Sequence, residues 1–230
     1  MKRMKIFAVL LPAFLLMIIF PAFLSAAEIP SDQVASDLSV LEARVIQGPQ
    51  DHWLINQGSQ QDVKKGDLFT LYLPAQSVKD PETGEILGEF APPAATARVV
   101  QVHERFSEIE VQCLDDRDCE IAPGMQAVRH EQVKAWFVDE TGDSADQYKL
   151  LRSRLDHLDW QDYRQSAGQG PESGAFAWGV VFVADSNGVT VWTGGQVRGI
   201  YQSEEKARTS ARSAPAAKRA KVAPAAKSAA

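Results

Sequence analysis

The chain has 230 residues, 24 basic and 30 acidic side chains, a formal net charge of −6, and 45% hydrophobic residues. That length bounds the fold to one large domain or two small ones. With only two cysteines, and no second Cys or His pair at ligand spacing, a cysteine-ligated metal site would lack its second half.

The start reads as an export address. Lys2, Arg3 and Lys5 precede an apolar run from Ile6 to Phe20, followed by Pro21 and Ser25-Ala26-Ala27. A basic start, an apolar middle and small residues before a cut are the parts of a secretory signal peptide, which places cleavage after Ala27. The alternative is an uncleaved anchor, since residues 6–24 just reach spanning length; Pro21 and the small residues favour removal. No cysteine follows the run, so lipid attachment is not indicated. Residues 28–42 read as a linker with one helical turn.

From Ala43 the pattern is β. Ala43–Gln47 and His52–Asn56 flank the turn residues Gly48-Pro49-Gln50-Asp51, and Leu68–Leu73 alternates at period two. Asp80-Pro81-Glu82-Thr83-Gly84-Glu85 predicts a tight turn, because Pro presets φ and Gly accepts positive φ. Thr96–His103, Ser107–Cys113 and a last strand entered through Ile121–Met125 complete five or six short strands, the pattern of a small barrel or sandwich over 43–130. Cys113 and Cys119 are spaced to close a small disulfide loop in an oxidising compartment.

Near Trp136 the pattern changes. Ser144 is placed to cap a helix through Leu158, with Tyr148, Leu151, Leu155 and Leu158 on one face. Phe176–Asp185, Val189–Thr193 and Gln196–Gln202 are separated by Asn187-Gly188 and Gly194-Gly195, both strong hairpin signals. Residues 136–203 therefore read as a helix over a three-stranded meander. Phe176, Trp178, Val180 and Phe182 are expected on one core-facing side of the first strand, with Trp192 and Tyr201 extending that side or lining a groove.

Residues 204–230 are rich in Ala, Ser and Pro and carry Lys206, Arg208, Arg212, Lys218, Arg219, Lys221 and Lys227 with no aromatic residue, a composition that predicts disorder. Setting aside these 7 basic residues and the 3 in the signal leaves 14 basic against 30 acidic in residues 28–205, a net of −16. The whole-chain charge conceals an acidic body with a basic tail. That tail suits contact with anionic lipid, lipopolysaccharide or peptidoglycan, at about 1 kcal/mol per cation near an anionic surface; the bland alternative is loose folding back onto the body. The export signal argues against nucleic acid as a partner.

Ile55-Asn56-Gln57-Gly58-Ser59, then Val63-Lys64-Lys65-Gly66-Asp67, then Asp80-Pro81-Glu82-Thr83-Gly84-Glu85-Ile86-Leu87-Gly88, and a second Ile-x-x-Gly turn at Ile121–Gly124 resemble the C-terminal domain of flagellar assembly protein T over residues 43–128. The resemblance implies a small SH3-like β barrel, periplasmic or associated with the outer membrane, acting through protein contacts. In those motifs Gly58, Gly66, Asp67, Asp80, Pro81 and Gly84 read as structural turn residues: Gly66 takes a left-handed conformation cheaply, and Asp67 and Asp80 bond nearby backbone N–H groups.

No familiar catalytic site emerges. His52, His103, His130 and His157 are scattered, and Glu104, Glu108 and Glu110 near His103 read as solvated strand faces. There is no G-x-S-x-G elbow and no phosphate-cradling glycine loop. Asp115, Asp116, Asp118 and Glu120 invite a calcium reading, but Arg117 sits among them and a solvated hairpin tip is simpler. The sequence thus predicts a mainly β, non-catalytic binding or adaptor protein of the periplasm or outer-membrane periphery, without cofactor or metal. The alternatives are an accessory subunit of a secretion or motility apparatus and an unrecognised hydrolase.

Overall fold

A computed structural model describes residues 29–114, 119–165 and 174–202. The described residues are mainly β, with a closed six-stranded barrel, a second sheet and two α-helices. The proposed signal at 1–27, the basic tail, and Asp115, Asp116 and Asp118 lie outside the described residues.

The barrel is built from β1 (Glu42–Gln47), β2 (Trp53–Ile55), β3 (Leu68–Tyr72), β6 (Pro93–Val102), β7 (Ser107–Cys113) and β8 (Gln126–Arg129), in the closed order β1-β2-β7-β6-β3-β8. Alternation sends Ala43 and Val45 of β1 inward and leaves Glu42 and Arg44 outside. Large and small residues are matched across the ladder: Phe69 lies opposite Ala97, and Leu71 opposite Ala95. The two alanines leave room for the larger side chains, which fill the interior with Val45, Ile55, Val99, Ile109 and Ala127. Of the barrel and sandwich read from strand spacing, the barrel forms, because β8 pairs with both β1 and β3.

Between β3 and β6 the chain leaves the barrel as a two-stranded antiparallel ribbon, β4 (Gln76–Lys79) and β5 (Ile86–Phe90). Sequence patterning shows only the turn at its tip.

Residues 29–41, read from sequence as part of a linker, contribute α1 (Ser31–Asp37) and bury Ile29, Val34 and Leu38. These join the core of the second sheet. That sheet has β9 (Lys134–Asp139) beside β12 (Val180–Asp185) in parallel, then β13 (Gly188–Thr193) and β14 (Gln196–Gln202) antiparallel; short β10 (Asp159–Trp160) and β11 (Arg164–Gln165) also pair with β9. The expected meander is present as β12-β13-β14 and is extended by parallel β9. Helix α2 (Ala145–Arg154) lies in the β9–β12 crossover. The core contains Phe137, Phe182, Val180, Val189, Val191 and Tyr201 from the sheet, and Leu151, Leu155 and Leu158 from α2 and the turn after it.

Three local expectations need correction. Helix α2 ends at Arg154 rather than Leu158; Leu155 and Leu158 are buried from the turn that follows. Ser144 makes no side-chain cap. Instead the Asp139 carboxylate accepts from the backbone N–H groups of Thr141, Gly142 and Ser144, and from the Tyr163 hydroxyl. Burial opposes ionisation of Asp139, but the Tyr163 hydroxyl and these N–H groups hold it well below the usual carboxylate range. Finally, β12 begins at Val180. Phe176 ends a 3-10 turn over Gly174–Phe176 and packs against Val138 and Val181 on the face opposite Val180 and Phe182. The turn closes with Ala177 N–H donating to Gly174 O, the next one with Gly179 N–H donating to Phe176 O, and a Cβ on Gly179 would stand 2.2 Å from the Trp136 ring. Trp192 and Tyr201 likewise fall on opposite faces, since Tyr201 lies opposite Val189 and Trp192 opposite Val197.

Cys113 and Cys119 form a disulfide, with Cα atoms 5.6 Å apart, at the end of β7. Loop closure predicts that a Cys113→Ser, Cys119→Ser double variant stays folded but loses about 2 kcal/mol in urea unfolding. An unchanged midpoint would show that the bond carries no stability.

Candidate functional site

Among the described strands, those of the ribbon are the most exposed. Every residue of β4 and β5 is exposed. Its tip is held locally: Asp80 Oδ1 accepts from the N–H groups of Glu82 (2.8 Å) and Thr83 (2.9 Å), Asp80 N–H donates to Glu85 O (2.8 Å), and Gly84 takes φ +74°. The Thr83 and Glu82 N–H groups lower the Asp80 carboxyl from its usual range. Pro81 sits at the first turn position, where its fixed φ suits the reversal. The turn is therefore well determined. The strands beyond it carry Val78, Ile86, Leu87 and Phe90 into solvent.

A second feature lies where the barrel meets the second sheet. Asp67 is fully buried at the start of β3. Its Oδ2 accepts from Lys64 N–H at 3.0 Å and lies 3.5 Å from Arg129 Nη1 of β8. Its Oδ1 lies 3.5 Å from Arg198 Nη1 of β14 and 3.9 Å from His130 Nε2. Both guanidiniums also donate to other groups. Arg129 donates to Ser39 O and Asp62 O, and Arg198 donates to Asp37 O at 2.9 Å and to the Asp62 carboxylate at 3.0 Å. Tyr201 completes the cluster by donating to Asp37 Oδ2 at 2.6 Å. Burial raises the Asp67 carboxyl, with Arg198, the Lys64 N–H and Arg129 pulling it back.

Glycine makes this approach possible. Gly66 has φ +89°, and a Cβ there would lie 2.6 Å from Thr193 O; a Cβ on Gly194 would lie 2.5 Å from Gly66 O. The Gly66-Asp67 reversal of the barrel is thus seated against the β13–β14 turn. Gly58, by contrast, has extended backbone and lies close to the 103–105 loop, where a Cβ would stand 2.4 Å from His103 O.

Between the two units lies an open cleft of about 570 Å³. It is lined on the barrel side by Thr96, Gln112 and Cys113 and on the sheet side by Lys134, Trp136 and Trp178. Arg98 stacks on one of these lining rings, 4.7 Å from the Trp178 centroid, and bonds Glu110 at 2.6 Å.

The acids near His103 do not converge. Glu108 meets His103 Nε2 at 3.0 Å, Glu104 accepts from Gln60 and Glu110 from Arg98, while the His103 ring stacks on Phe106 at 4.3 Å. Of the residues singled out from sequence, Gly66 and Asp67 are drawn into the joint, Asp80, Pro81 and Gly84 form the ribbon tip, and Gly58 stands apart. The seven basic tail residues lie outside the described segments. Sequence reading missed Arg129 and Arg198; the available signal was an arginine inside each of two apolar strand patterns, Ala127-Val128-Arg129 and Val197-Arg198-Gly199-Ile200.

Residues 50–118 match the family model of the flagellar assembly protein T C-terminal domain. The matched stretch runs from just before β2 to the disulfide loop and includes the whole ribbon and Asp67. It contains neither Arg129 nor Arg198. A search of curated proteins finds no match to the chain. The match and the disulfide are both consistent with an envelope location.

The buried cluster makes stability depend on pH. Burial, then Arg129 and Arg198, hold the His130 imidazole well below its usual proton affinity; its Nδ1 faces Leu38 O. The unfolded chain takes up this proton and the folded chain resists it, so stability present above about pH 6.5 falls as the pH drops below it, by up to about 1.4 kcal/mol per unit. Denaturant unfolding of wild type and His130→Asn from pH 7.5 to pH 5 is expected to show this slope reduced in the variant, whose side chain tolerates the φ of +58° at this position. Identical slopes would remove His130 from the balance.

Proposed function

We propose that this protein is a non-catalytic docking subunit of an envelope assembly, with the β4–β5 ribbon as its contact element. The observation that carries this reading is the ribbon's exposure. A defined, pinned element presents apolar side chains to water, whereas the charged groups of the barrel–sheet joint are spent on internal contacts. Exposed apolar surface of this kind marks interaction sites. In this reading the protein is exported and works in the periplasm or at the outer-membrane periphery.

The match over residues 50–118 favours one setting in particular, an accessory role in a flagellar-type assembly. Fold likeness alone does not assign such a role. The ribbon supplies the physical means, and it lies wholly inside the matched stretch.

The reading is tested by placing the photocrosslinker p-benzoylphenylalanine at position 87 or, as a control, at exposed Lys149 of α2, and irradiating intact cells. A discrete crosslinked protein is expected from position 87 and not from position 149. Equal yields from both would discard the ribbon as the contact element.

The basic tail supports a second contact, with an anionic envelope component: phosphate groups of lipid or lipopolysaccharide, or peptidoglycan carboxylates. Deleting residues 206–230 is expected to leave unfolding unchanged but to abolish salt-sensitive co-sedimentation with envelope fractions. Unaltered sedimentation of the truncated protein across a salt series would eliminate the tether.

A further inference from the structure

The ribbon also specifies the chemistry of what it binds. Val78 is 44% exposed, Ile86 62%, Leu87 64% and Phe90 59%. A two-stranded ribbon alone in water is marginal, and no third strand pairs with this one among the described residues. Burial of its four apolar side chains is the largest favourable change available to it. A receiving surface must therefore be apolar and concave enough to take side chains from a narrow element.

Charge then selects among surfaces. Asp80, Glu82, Glu85 and Glu89 stand on the ribbon against one cation, Lys79. The body behind it carries the same sign, a net of −16 over residues 28–205. An anionic lipid surface would repel this element, although its apolar residues suit insertion. A second copy would bring an equally acidic ribbon and body. Apolar content and acidic edges fit together on a protein groove flanked by cations.

We propose that the β4–β5 ribbon docks into an apolar groove edged by lysine and arginine side chains on a partner protein of different sequence. This rests on the reading of the protein as a docking subunit. Ile86 and Phe90 fill the groove, while Glu82, Glu85 and Glu89 face its rim and speed association.

The test uses the full chain and the protein captured from position 87, identified and then purified. Ile86→Ser with Phe90→Ser is expected to weaken its binding at least a hundredfold, since both apolar anchors lose their burial. Glu82→Lys with Glu85→Lys is expected to slow association about tenfold and flatten its fall between about 0.1 M and about 1 M salt. Both variants alter only exposed positions, and an unchanged unfolding midpoint confirms that they fold. If the serine variant weakens binding but charge reversal and salt do nothing, the groove chemistry is wrong while the docking reading survives. If the captured protein is a second copy of this chain, or if the protein co-sediments with phosphatidylglycerol vesicles through Ile86 and Phe90, the proposal is overturned. Failure to capture anything selectively from position 87 removes the docking reading and this inference with it.

Discussion

One buried carboxylate sets the geometry of the molecule. Asp67 of the barrel lies between Arg129 of the same barrel and Arg198 of the second sheet, so the second pairing ties one unit to the other. Taking these charges out of water is costly, and their mutual attraction offsets that cost only when the remaining donors are also used. Here they largely are: the Arg129 and Arg198 side chains bond carbonyls at Asp37, Ser39 and Asp62, which belong to α1, the segment after it and the loop before β3. Well-packed apolar residues would hold two units together as strongly. They would not fix one orientation, because hydrophobic attraction has no direction. The cluster is best understood as registry, with the backbone of Gly66 against Gly194 setting the distance of approach.

Strand β3 carries that registry outward. Its first residue, Leu68, enters the core of the second sheet, whereas Phe69 and Leu71 enter the barrel. The same strand runs through Tyr72, whose hydroxyl donates to Glu131 at 2.7 Å, and then leads directly into the ribbon. The ribbon is therefore hung from a strand whose every residue is buried. A contact element fixed at its base loses less freedom on binding than one on a slack loop, so more of its apolar burial appears as affinity.

What the sequence disclosed follows from which contacts are local. The barrel strands were legible because β1, β6 and β7 alternate, one face in and one face out, and the hairpins at Asn187-Gly188 and Gly194-Gly195 were legible because two residues define them. Strand β9 was not. Its Trp136-Phe137-Val138 run packs on both faces of a sheet and so does not alternate, and its main partner, β12, lies far along the chain. The ribbon strands were hidden for the opposite reason: exposed throughout, they show no buried face to read. Helix α1 resembled a linker because a seven-residue helix with Val34 as its one fully buried apolar side chain gives little periodicity. Asp67 read as a turn residue because its bond to Lys64 is local, while the arginines that give it its main role stand in β8 and β14.

The placement of polar and apolar groups bears on function more than the barrel does. A chain selected only to be stable and soluble puts charge outside and hydrophobes inside. This one does the reverse in two places, burying Asp67, Arg129 and Arg198 in a joint while exposing Val78, Ile86, Leu87 and Phe90 on the ribbon. Neither choice lowers the free energy of the isolated fold. Both make sense if orientation and contact are what the molecule supplies: the buried charges hold the barrel at a set angle to the second sheet, and the exposed side chains give that angle something to present. The two departures sit at opposite ends of β3, so a partner seated on the ribbon is held in a defined position relative to the rest of the protein.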